Sequence, residues 1–325
     1  MNELTAPKIS PLTRLLDQSV VPGMMTFTRL GYVMGRCSKP VEERLDGRRV
    51  VLTGPTSGLG LATANELARL GATLVLVGRD EVKLKQVVAD LNTEHCPPPE
   101  VEVAELAELA EVRKLAERLL AGPAPIHVLI NNAGALFNRR SVTSEGNEQS
   151  LAVNLLSPFL LTELLKDRLV ASAPARVINV SSGGMYTQAI DLDDLQWESR
   201  RYNGPAAYAQ AKRGQVIMTE RWAKEMAAKQ VAVHAMHPGW ADTPGVRNSL
   251  PGFFKVTKRV LRSPAEGADT IVWLAAAADG GQTTGGFWLD RKARPTNVLP
   301  GTQTSLEDRG RLLDRLRELA GLEPA

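Results

Sequence analysis

From residue 48 onward, short apolar runs rich in β-branched residues alternate with longer segments of helical periodicity. Such alternation is typical of successive βαβ units, which build a parallel sheet. The apolar runs are nearly continuous, as expected for strands that helices cover on both faces. We therefore predict a single-domain α/β fold, a Rossmann-type doubly wound parallel sheet of about seven strands, at residues 49–53, 73–77, 101–104, 127–130, 177–180, 231–236 and 287–289.

Apolar residues spaced three and four apart predict the helices between these strands, most plainly at residues 59–70, 81–91 and 109–120. Near the C-terminus, Ser305 followed by Asp308 resembles a capping box and predicts a last helix through about Leu319. We divide the chain into an N-terminal extension (1–47), a Rossmann-fold domain (48–290) and a C-terminal tail with a helix (291–325).

Charge and cysteine usage exclude several classes of partner. The 39 basic and 36 acidic residues give a net charge of +3 without a long run of one sign, so we expect no nucleic-acid partner. Cys37 and Cys96 lie far apart and outside any CxxC motif, which indicates neither a disulfide framework nor a metal site.

The N-terminal extension lacks the pattern of a membrane-spanning or secretory segment. Its longest uncharged stretch, residues 18–28, is much shorter than the roughly 20 apolar residues of a spanning helix. No basic segment precedes a compact apolar one, as a secretory signal requires. We therefore expect a cytoplasmic protein without a transmembrane segment, and the apolar residues within 20–34 leave peripheral membrane contact open.

A glycine-rich loop joins the first predicted strand to the first predicted helix, with glycines at positions 54, 58 and 60. Glycines allow a tight turn and close backbone approach, and the N-terminus of a helix attracts phosphate. The alternative is a purely structural turn, but the strand-loop-helix context favours a dinucleotide pyrophosphate. The candidate binding residues are Gly54, Ser57, Gly58, Leu59 and Gly60.

The end of the second strand predicts which dinucleotide binds. A carboxylate there suits the 2′-hydroxyl of NAD, whereas an arginine accommodates the 2′-phosphate of NADP. Gly78 leaves the site open and Arg79 can pair with phosphate, so we favour NADP(H) over NAD(H). Asp80 either caps the next helix, the interpretation we prefer, or turns toward the ribose.

Tyr208 and Lys212 lie four residues apart on a predicted helix and therefore project from one face. A neighbouring ammonium should stabilise the phenolate and lower the tyrosine pKa from about 10, which would make Tyr208 a usable general acid and base. Taken alone, the pair is more typical of an ordinary half-exposed tyrosine beside a solvated lysine than of a catalytic pair.

Four motifs in order resemble those of the short-chain dehydrogenases/reductases, over residues 48 to 290. They are Thr53-Gly54-x-x-x-Gly58-x-Gly60, Asn131-Asn132-Ala133-Gly134, Ser182 and Tyr208-x-x-x-Lys212. The long insertion around 191–197 is similar to that of the retinol-dehydrogenase-like branch, and segments 236–246 and 289–292 resemble its member-twelve group. The resemblance implies an enzyme that interconverts an alcohol and a carbonyl with NADP or NAD.

The resemblance also implies roles for individual residues. Ser182, in preference to Ser181, would hydrogen-bond the substrate oxygen, and Asn154 would support a water-mediated proton relay to Lys212. The catalytic set is thus Asn154, Ser182, Tyr208 and Lys212. Cofactor contacts beyond the glycine-rich loop would come from Asn131, Ala133, Gly134, Tyr208, Lys212, Pro238 and Thr243.

Two positions depart from the family pattern. Pro55 removes one backbone N–H from the phosphate loop. Glu105, within Ala104-Glu105-Leu106, replaces the shorter aspartate that usually meets the adenine.

The sequence leaves three properties open. The aromatic segment 251–254 favours a lipophilic substrate through an apolar lid, although a loop packed on the core fits equally well. A nucleotide-binding sensor or scaffold with little turnover is the alternative function. The protein is expected to be a homodimer or a monomer.

Overall fold

The computed structural model describes residues 3–18, 25–35, 40–91, 94 and 96–323. Cys37 lies outside the described residues, as do residues 20–24 of the segment considered for membrane contact.

One eight-stranded sheet forms the centre of the molecule, in the order β3-β2-β1-β4-β5-β6-β7-β8. Its strands are β1 (Arg49–Thr53), β2 (Thr73–Gly78), β3 (Glu100–Val103), β4 (Val128–Asn131), β5 (Ala175–Val180), β6 (Val231–Met236), β7 (Phe287–Leu289) and β8 (Lys292–Arg294). All seven predicted strands are confirmed, and β1 to β7 run parallel. The antiparallel β8 was not predicted, because a three-residue strand with a basic residue at each end carries no apolar run.

The helices are α1 (Pro11–Gln18), α2 (Arg29–Gly35), α3 (Gly58–Arg69), α4 (Glu81–Asp90), α5 (Leu109–Leu120), α6 (Gln149–Leu151, continuing through a π-helical turn Ala152–Leu156 into Ser157–Ala171), α7 (Gly204–Met226), α8 (Pro244–Ser249), α9 (Pro251–Thr257), α10 (Pro264–Ala276), α11 (Ala278–Gln282) and α12 (Leu306–Leu319). Short 3-10 turns occupy Gly183–Thr187 and Ala227–Lys229. The four helices predicted with explicit bounds are confirmed to within a residue at each end, and the side chain of Ser305 caps α12 by accepting from the backbone N of Asp308.

Helices cover both faces of the sheet, as a doubly wound fold requires. Alternate strand residues face opposite sides, so Val51 and Val75 pack under α5, α6 and α7, whereas Val50 and Leu74 pack under α3, α4 and α10. Leu312 of α12 completes the first of these two cores. The sheet therefore extends beyond residue 290, where β8 joins it, and the three-part division of the chain stays a prediction.

The first part of the N-terminal extension contacts the β7–β8 side of the sheet. Thr5 forms a parallel bridge with Thr283, and Asp17 of α1 forms a 2.7 Å ion pair with Arg294 of β8. Both partners of this ion pair are buried.

The chain changes direction between β1 and β4, which are neighbours in the sheet although β2 and β3 intervene in sequence. At such a switch point the loops after the two strands diverge and leave a crevice at the carboxyl ends. The loops after β1, β4, β5 and β6 carry Gly54, Asn132, Ser182 and Pro238, so the fold collects the motifs at this edge.

Candidate active site

The loop after β1 has a backbone that requires its glycines. Gly54 and Gly58 adopt positive φ angles of 68° and 53°, a region that other residues rarely enter. A Cβ atom on Gly60 would lie only 1.9 Å from the carbonyl oxygen of Gly54. The loop is therefore folded tightly against the start of α3, whose first N–H groups are available to an anion.

A cavity of about 360 Å³ opens above this loop. Its lining includes most of the predicted cofactor residues, namely Gly54, Ser57, Gly58, Leu59, Gly60, Arg79, Ala133, Gly134 and Thr243. We call it the nucleotide cleft. Thr53 fixes the part of the lining formed by Asn132 and Ala133, because its hydroxyl accepts hydrogen bonds from their backbone N–H groups.

Asn131 is a predicted cofactor residue that lines no cavity at this edge of the sheet. Its side chain is buried in the sheet, where Nδ2 donates to Oδ1 of Asn179 (2.8 Å) and to Oγ1 of Thr162 (3.1 Å). Asn132 lines the cleft instead and donates to the carbonyl oxygens of Thr53 and Gly54. Sequence reasoning missed Asn132, because a pair of adjacent asparagines does not reveal which one turns inward.

Arg79 lies at the rim of the cleft with its side chain 74% exposed. One guanidinium nitrogen is 3.4 Å from Oε2 of Glu105, so the two charged groups form an exposed ion pair. Asp80 caps α4, with Oδ1 accepting from the backbone N of Lys83 (3.1 Å). The hydrogen bond from the Lys83 ammonium, together with the one from its backbone N, lowers the pKa of this carboxyl. Asp80 therefore caps the helix, the first of the two roles considered for it, and does not turn toward the ribose position.

A second cavity, of about 380 Å³, adjoins the nucleotide cleft and shares Leu59, Gly134 and Thr243 with it. We call it the substrate cleft. Ser182, Tyr208, Lys212 and Pro238 lie in its wall. Much of the remaining lining is apolar and comes from Leu136, Val180, Pro205, Trp240, Val246, Leu250 and Phe253.

Helix α7 carries Tyr208 and Lys212 into the substrate cleft from one face. The Lys212 ammonium nitrogen is 5.7 Å from the centre of the Tyr208 ring and donates to the carbonyl oxygen of Val180 (2.7 Å). Ser182 caps the following 3-10 turn, where its Oγ accepts from the backbone N of Gly184. The Ser182 side chain also interacts with the Tyr208 hydroxyl, so three predicted catalytic side chains meet in this cleft.

The pKa values of this pair move in an unexpected direction. Desolvation raises the pKa of Tyr208 to about 12, and the hydrogen bond to Ser182 opposes this only partly. Desolvation also lowers the pKa of Lys212 to about 7, since the residue is 2% exposed. The prediction of a lowered tyrosine pKa is therefore wrong for this structure, because burial of the phenol disfavours the phenolate. Burial of Lys212 also favours its neutral amine over the ammonium that was to stabilise the phenolate.

Asn154 lies in the π-helical turn of α6, a distortion often found at functional sites. Its Oδ1 accepts from the backbone N of Ala135 (3.1 Å), and its Nδ2 donates to the carbonyl oxygens of Ala135 and Ser150 (both 2.8 Å). A Cβ on Gly134 would come within 2.8 Å of Asn154 Oδ1 and 3.2 Å of Lys212 Nζ. Glycine at 134 thus leaves room for both the asparagine and the lysine beside one backbone position.

The neighbours of the predicted residues have structural roles. Ser181 is buried and donates to the carbonyl oxygen of Lys212 (2.9 Å), so Ser182 is the serine beside the tyrosine. His237 is buried, and its Nδ1 accepts from the backbone N of Gly239, which orients the Pro238–Gly239 turn. Desolvation holds the pKa of His237 well below its ordinary value. Thr243 caps α8 with the backbone N of Val246 while lining both clefts.

Two further observations concern the described part of the chain alone. It contains no group of three or more histidine, cysteine, aspartate or glutamate residues arranged to hold a metal ion. None of its helices combines the length and the apolar character needed to cross a bilayer.

Comparison with known proteins agrees with this geometry. The model of the short chain dehydrogenase family matches residues 48–252. The chain is 40% identical over 304 residues to dehydrogenase/reductase SDR family member 12 of Bos taurus, covering 92% of this chain and 95% of that protein. It is 35% identical over 276 residues to retinol dehydrogenase 13 of Homo sapiens, covering 81% and 82%.

A solved structure of a candidate NAD(P)-dependent gluconate 5-dehydrogenase from Beutenbergia cavernae, with NADP bound at low occupancy, superposes with a TM-score of 0.63. It is 27% identical in sequence, and the match covers 76% of this chain and 96% of that one. The chain therefore belongs to the short-chain dehydrogenase/reductase family and is an oxidoreductase acting on CH–OH groups. The resemblance to the retinol-dehydrogenase-like branch and its member-twelve group is confirmed as well.

Proposed function

We propose that this protein is an NADP(H)-dependent reductase of lipophilic carbonyl compounds, with Tyr208 as the proton donor. The observation that carries the proposal is the meeting of Ser182, Tyr208 and Lys212 in a mostly apolar cleft that adjoins a glycine-lined nucleotide cleft. In reduction, the bound dinucleotide would supply the hydride.

The nucleotide cleft fits a dinucleotide on the evidence of its backbone. Positive φ at Gly54 and Gly58 and the absence of a side chain at Gly60 leave free N–H groups facing the cleft at the start of α3. These residues, with Ser57 and Leu59, would hold the pyrophosphate. Ala133, Gly134, Pro238 and Thr243 would surround the nicotinamide end, and Lys212 would bind its ribose hydroxyls.

Arg79 supports a preference for NADP(H). The side chain is exposed at the cleft rim, where a guanidinium can pair with a 2′-phosphate through two hydrogen bonds. The carboxylate of Asp80 is engaged by Lys83 as a helix cap and therefore does not compete for the ribose hydroxyl. Arg79→Gln should raise the KM for NADPH about tenfold, the loss expected for one charge-assisted contact, and leave the KM for NADH unchanged.

Tyr208 is in the protonated form that carbonyl reduction requires. A phenol with a pKa of about 12 stays protonated at neutral pH, so it can donate to the oxygen of a carbonyl that is gaining a hydride. Alcohol oxidation instead needs the phenolate, so its rate should rise with pH through the alkaline range. Ser182 would hold the substrate oxygen beside Tyr208, and Asn154 with Lys212 would return a proton to the phenol.

The lining of the substrate cleft supports a lipophilic substrate. Among the residues that the structure describes, Lys212 is the one lysine, arginine, aspartate or glutamate in the lining, and its amine is directed to the carbonyl of Val180. A carbonyl compound with an apolar body would lose no hydrogen bonds to water in this cleft, whereas an anionic body would find no partner.

The test is NADPH consumption across a panel of ketones, aldehydes and quinones by the wild type and by Tyr208→Phe. We expect the variant to lose about 10²-fold or more in kcat, because a positioned proton donor contributes on that order. Phenylalanine keeps the ring and its packing. Equal turnover by the two proteins would refute the role of Tyr208.

The second function retained from the sequence is a nucleotide-binding sensor or scaffold. Tight NADPH binding in calorimetry, without turnover of any carbonyl in the panel, would favour it. Cytoplasmic residence and a monomeric or homodimeric state stay predictions, which cell fractionation and light scattering would test.

A further inference from the structure

One buried arginine, Arg262, binds residues 26–28 of the N-terminal extension behind the substrate cleft. Arg262 is 1% exposed, and its guanidinium donates to the backbone oxygens of Thr26 (2.5 Å), Phe27 (3.0 Å) and Thr28 (3.2 Å). The same group forms two hydrogen bonds, of 2.6 and 3.0 Å, to the carboxylate of Asp290. Because the charge is paired and the donors are occupied, this arginine fixes the segment in place.

This fixed segment holds Trp240, a wall residue of the substrate cleft. The backbone N of Trp240 donates to the carbonyl oxygen of Phe27 (2.8 Å), and the backbone N of Arg262 donates to the carbonyl oxygen of Trp240 (2.8 Å). The backbone N–H and the backbone C=O of Trp240 are therefore both hydrogen-bonded to residues distant in sequence.

Contacts between aromatic rings also connect the N-terminal segment to Trp240. The Phe27 ring contacts the Trp240 ring edge-on, with centroids 6.1 Å apart, and Trp240 meets Phe253 of α9 in the same way at 5.2 Å. Phe27 also packs edge-on against His237 at 4.5 Å. On the catalytic side, a Cβ on Gly183 would come 2.9 Å from the Phe27 ring, one residue after Ser182.

Phe27 itself is not among the residues that line the substrate cleft, and Trp240 is the aromatic neighbour through which its ring meets the lining. Phe27, Arg262 and Asp290 all lie outside residues 48–252, the part of the chain that the family model matches. The contacts thus add a layer behind the cleft from residues outside the matched part of the chain.

We propose that Phe27 and Arg262 are positioning residues that hold the Trp240 indole as the substrate-selecting wall of the cleft. On this basis residues 26–28 support the substrate site from behind, and the Trp240 wall that they hold selects carbonyl compounds with a bulky apolar body over small ones. The inference rests on the proposed reductase function and extends it to the choice of substrate.

The physical reason is the small number of orientations left to Trp240. An indole held between Phe27 and Phe253 presents a rigid apolar face, which a large ligand contacts and a small ketone does not reach. Removal of the Phe27 ring frees the indole, so a large ligand must order it again on binding. Loss of one aromatic contact is worth about tenfold in affinity.

The experiment compares the wild type, Phe27→Ala, Phe27→Leu and Leu30→Ala on a bulky apolar aryl ketone and on acetone, with NADPH as reductant. For Phe27→Ala we expect about a tenfold rise in KM for the bulky ketone. The kcat, the kinetics with acetone and the dissociation constant of NADPH should change less than about twofold. Phe27→Leu should restore part of the affinity. Leu30→Ala changes an exposed residue of the same segment and should match the wild type.

A double-mutant cycle separates positioning from general destabilisation. If Phe27 acts through Trp240, then Phe27→Ala should add nothing to the KM effect of Trp240→Ala. Additive effects, or an equal loss on bulky and small ketones, would overturn the proposal. Thermal unfolding of each variant checks folding, and Phe27→Leu serves if Phe27→Ala does not fold.

A binding measurement keeps this inference separate from the proposed function. Calorimetry measures the affinity of the bulky ketone for protein saturated with NADP⁺, a complex in which the ketone can contact Trp240 but cannot be reduced. Weakened binding by Phe27→Ala, in a protein that reduces no carbonyl, would support the positioning role and refute the reductase. Normal reduction with unchanged ketone binding in that variant would refute the positioning role alone.

Discussion

Replacement of Lys212 by methionine should raise the stability of the protein and abolish its activity, because the buried amine destabilises the fold but serves the reaction. The residue is 2% exposed, and its pKa falls from 10.5 to about 7. Between these two values the folded protein holds a neutral amine while the unfolded chain remains protonated. Because the unfolded state then binds more protons, the free energy of unfolding rises with pH across this window.

The size of the effect follows from the shift. Each pKa unit corresponds to about 1.4 kcal/mol, so the buried amine costs up to about 5 kcal/mol below pH 7. By the same linkage, the wild type gains about 2 kcal/mol between pH 7 and pH 9. Lys212→Met removes the titration and also the hydrogen bond to Val180, which is worth about 1 kcal/mol. We expect the variant to be more stable by about 3 kcal/mol at pH 7 and by about 1 kcal/mol at pH 9.

The assay is urea unfolding followed by circular dichroism at pH 7, 8 and 9, without added nucleotide. Lys224, an exposed residue on the same helix, provides the control variant Lys224→Met, whose stability should stay parallel to that of the wild type. A gap between wild type and Lys212→Met that does not change with pH would refute the reasoning. The same variant should lose NADPH-dependent turnover, so that stability and activity change in opposite directions.

Three further changes test the structure elsewhere. Gly60→Ala places a methyl group against the carbonyl oxygen of Gly54 and should weaken NADPH binding at least about tenfold in calorimetry, and unchanged affinity would contradict the tight loop. Asp290→Asn leaves the buried charge of Arg262 without its counter-ion and should lower the free energy of unfolding by about 3 kcal/mol, whereas a loss below about 1 kcal/mol would show that water reaches the pair. Ser305→Ala removes the cap of the last helix and should cost about 1 kcal/mol in the same urea assay, a cost that Ser305→Asp should largely avoid.

Local patterns in the sequence determined the strands, the main helices and the positions of the motifs. Strand and helix periodicities depend on neighbouring residues, and a parallel sheet brings the carboxyl ends of its strands to one edge. For the same reason the four-residue spacing of Tyr208 and Lys212 was enough to place both side chains on one face of α7.

Tertiary structure alone decided the properties that depend on distant residues. The direction of the Tyr208 pKa depends on the walls that exclude water from the cleft, and these come from loops after several strands. Which of Asn131 and Asn132 faces the cleft depended on hydrogen bonds to β5 and α6. The link from Phe27 to Arg262 spans 235 residues and leaves no local pattern, because a hydrogen bond between such positions exists only after the sheet has brought them together.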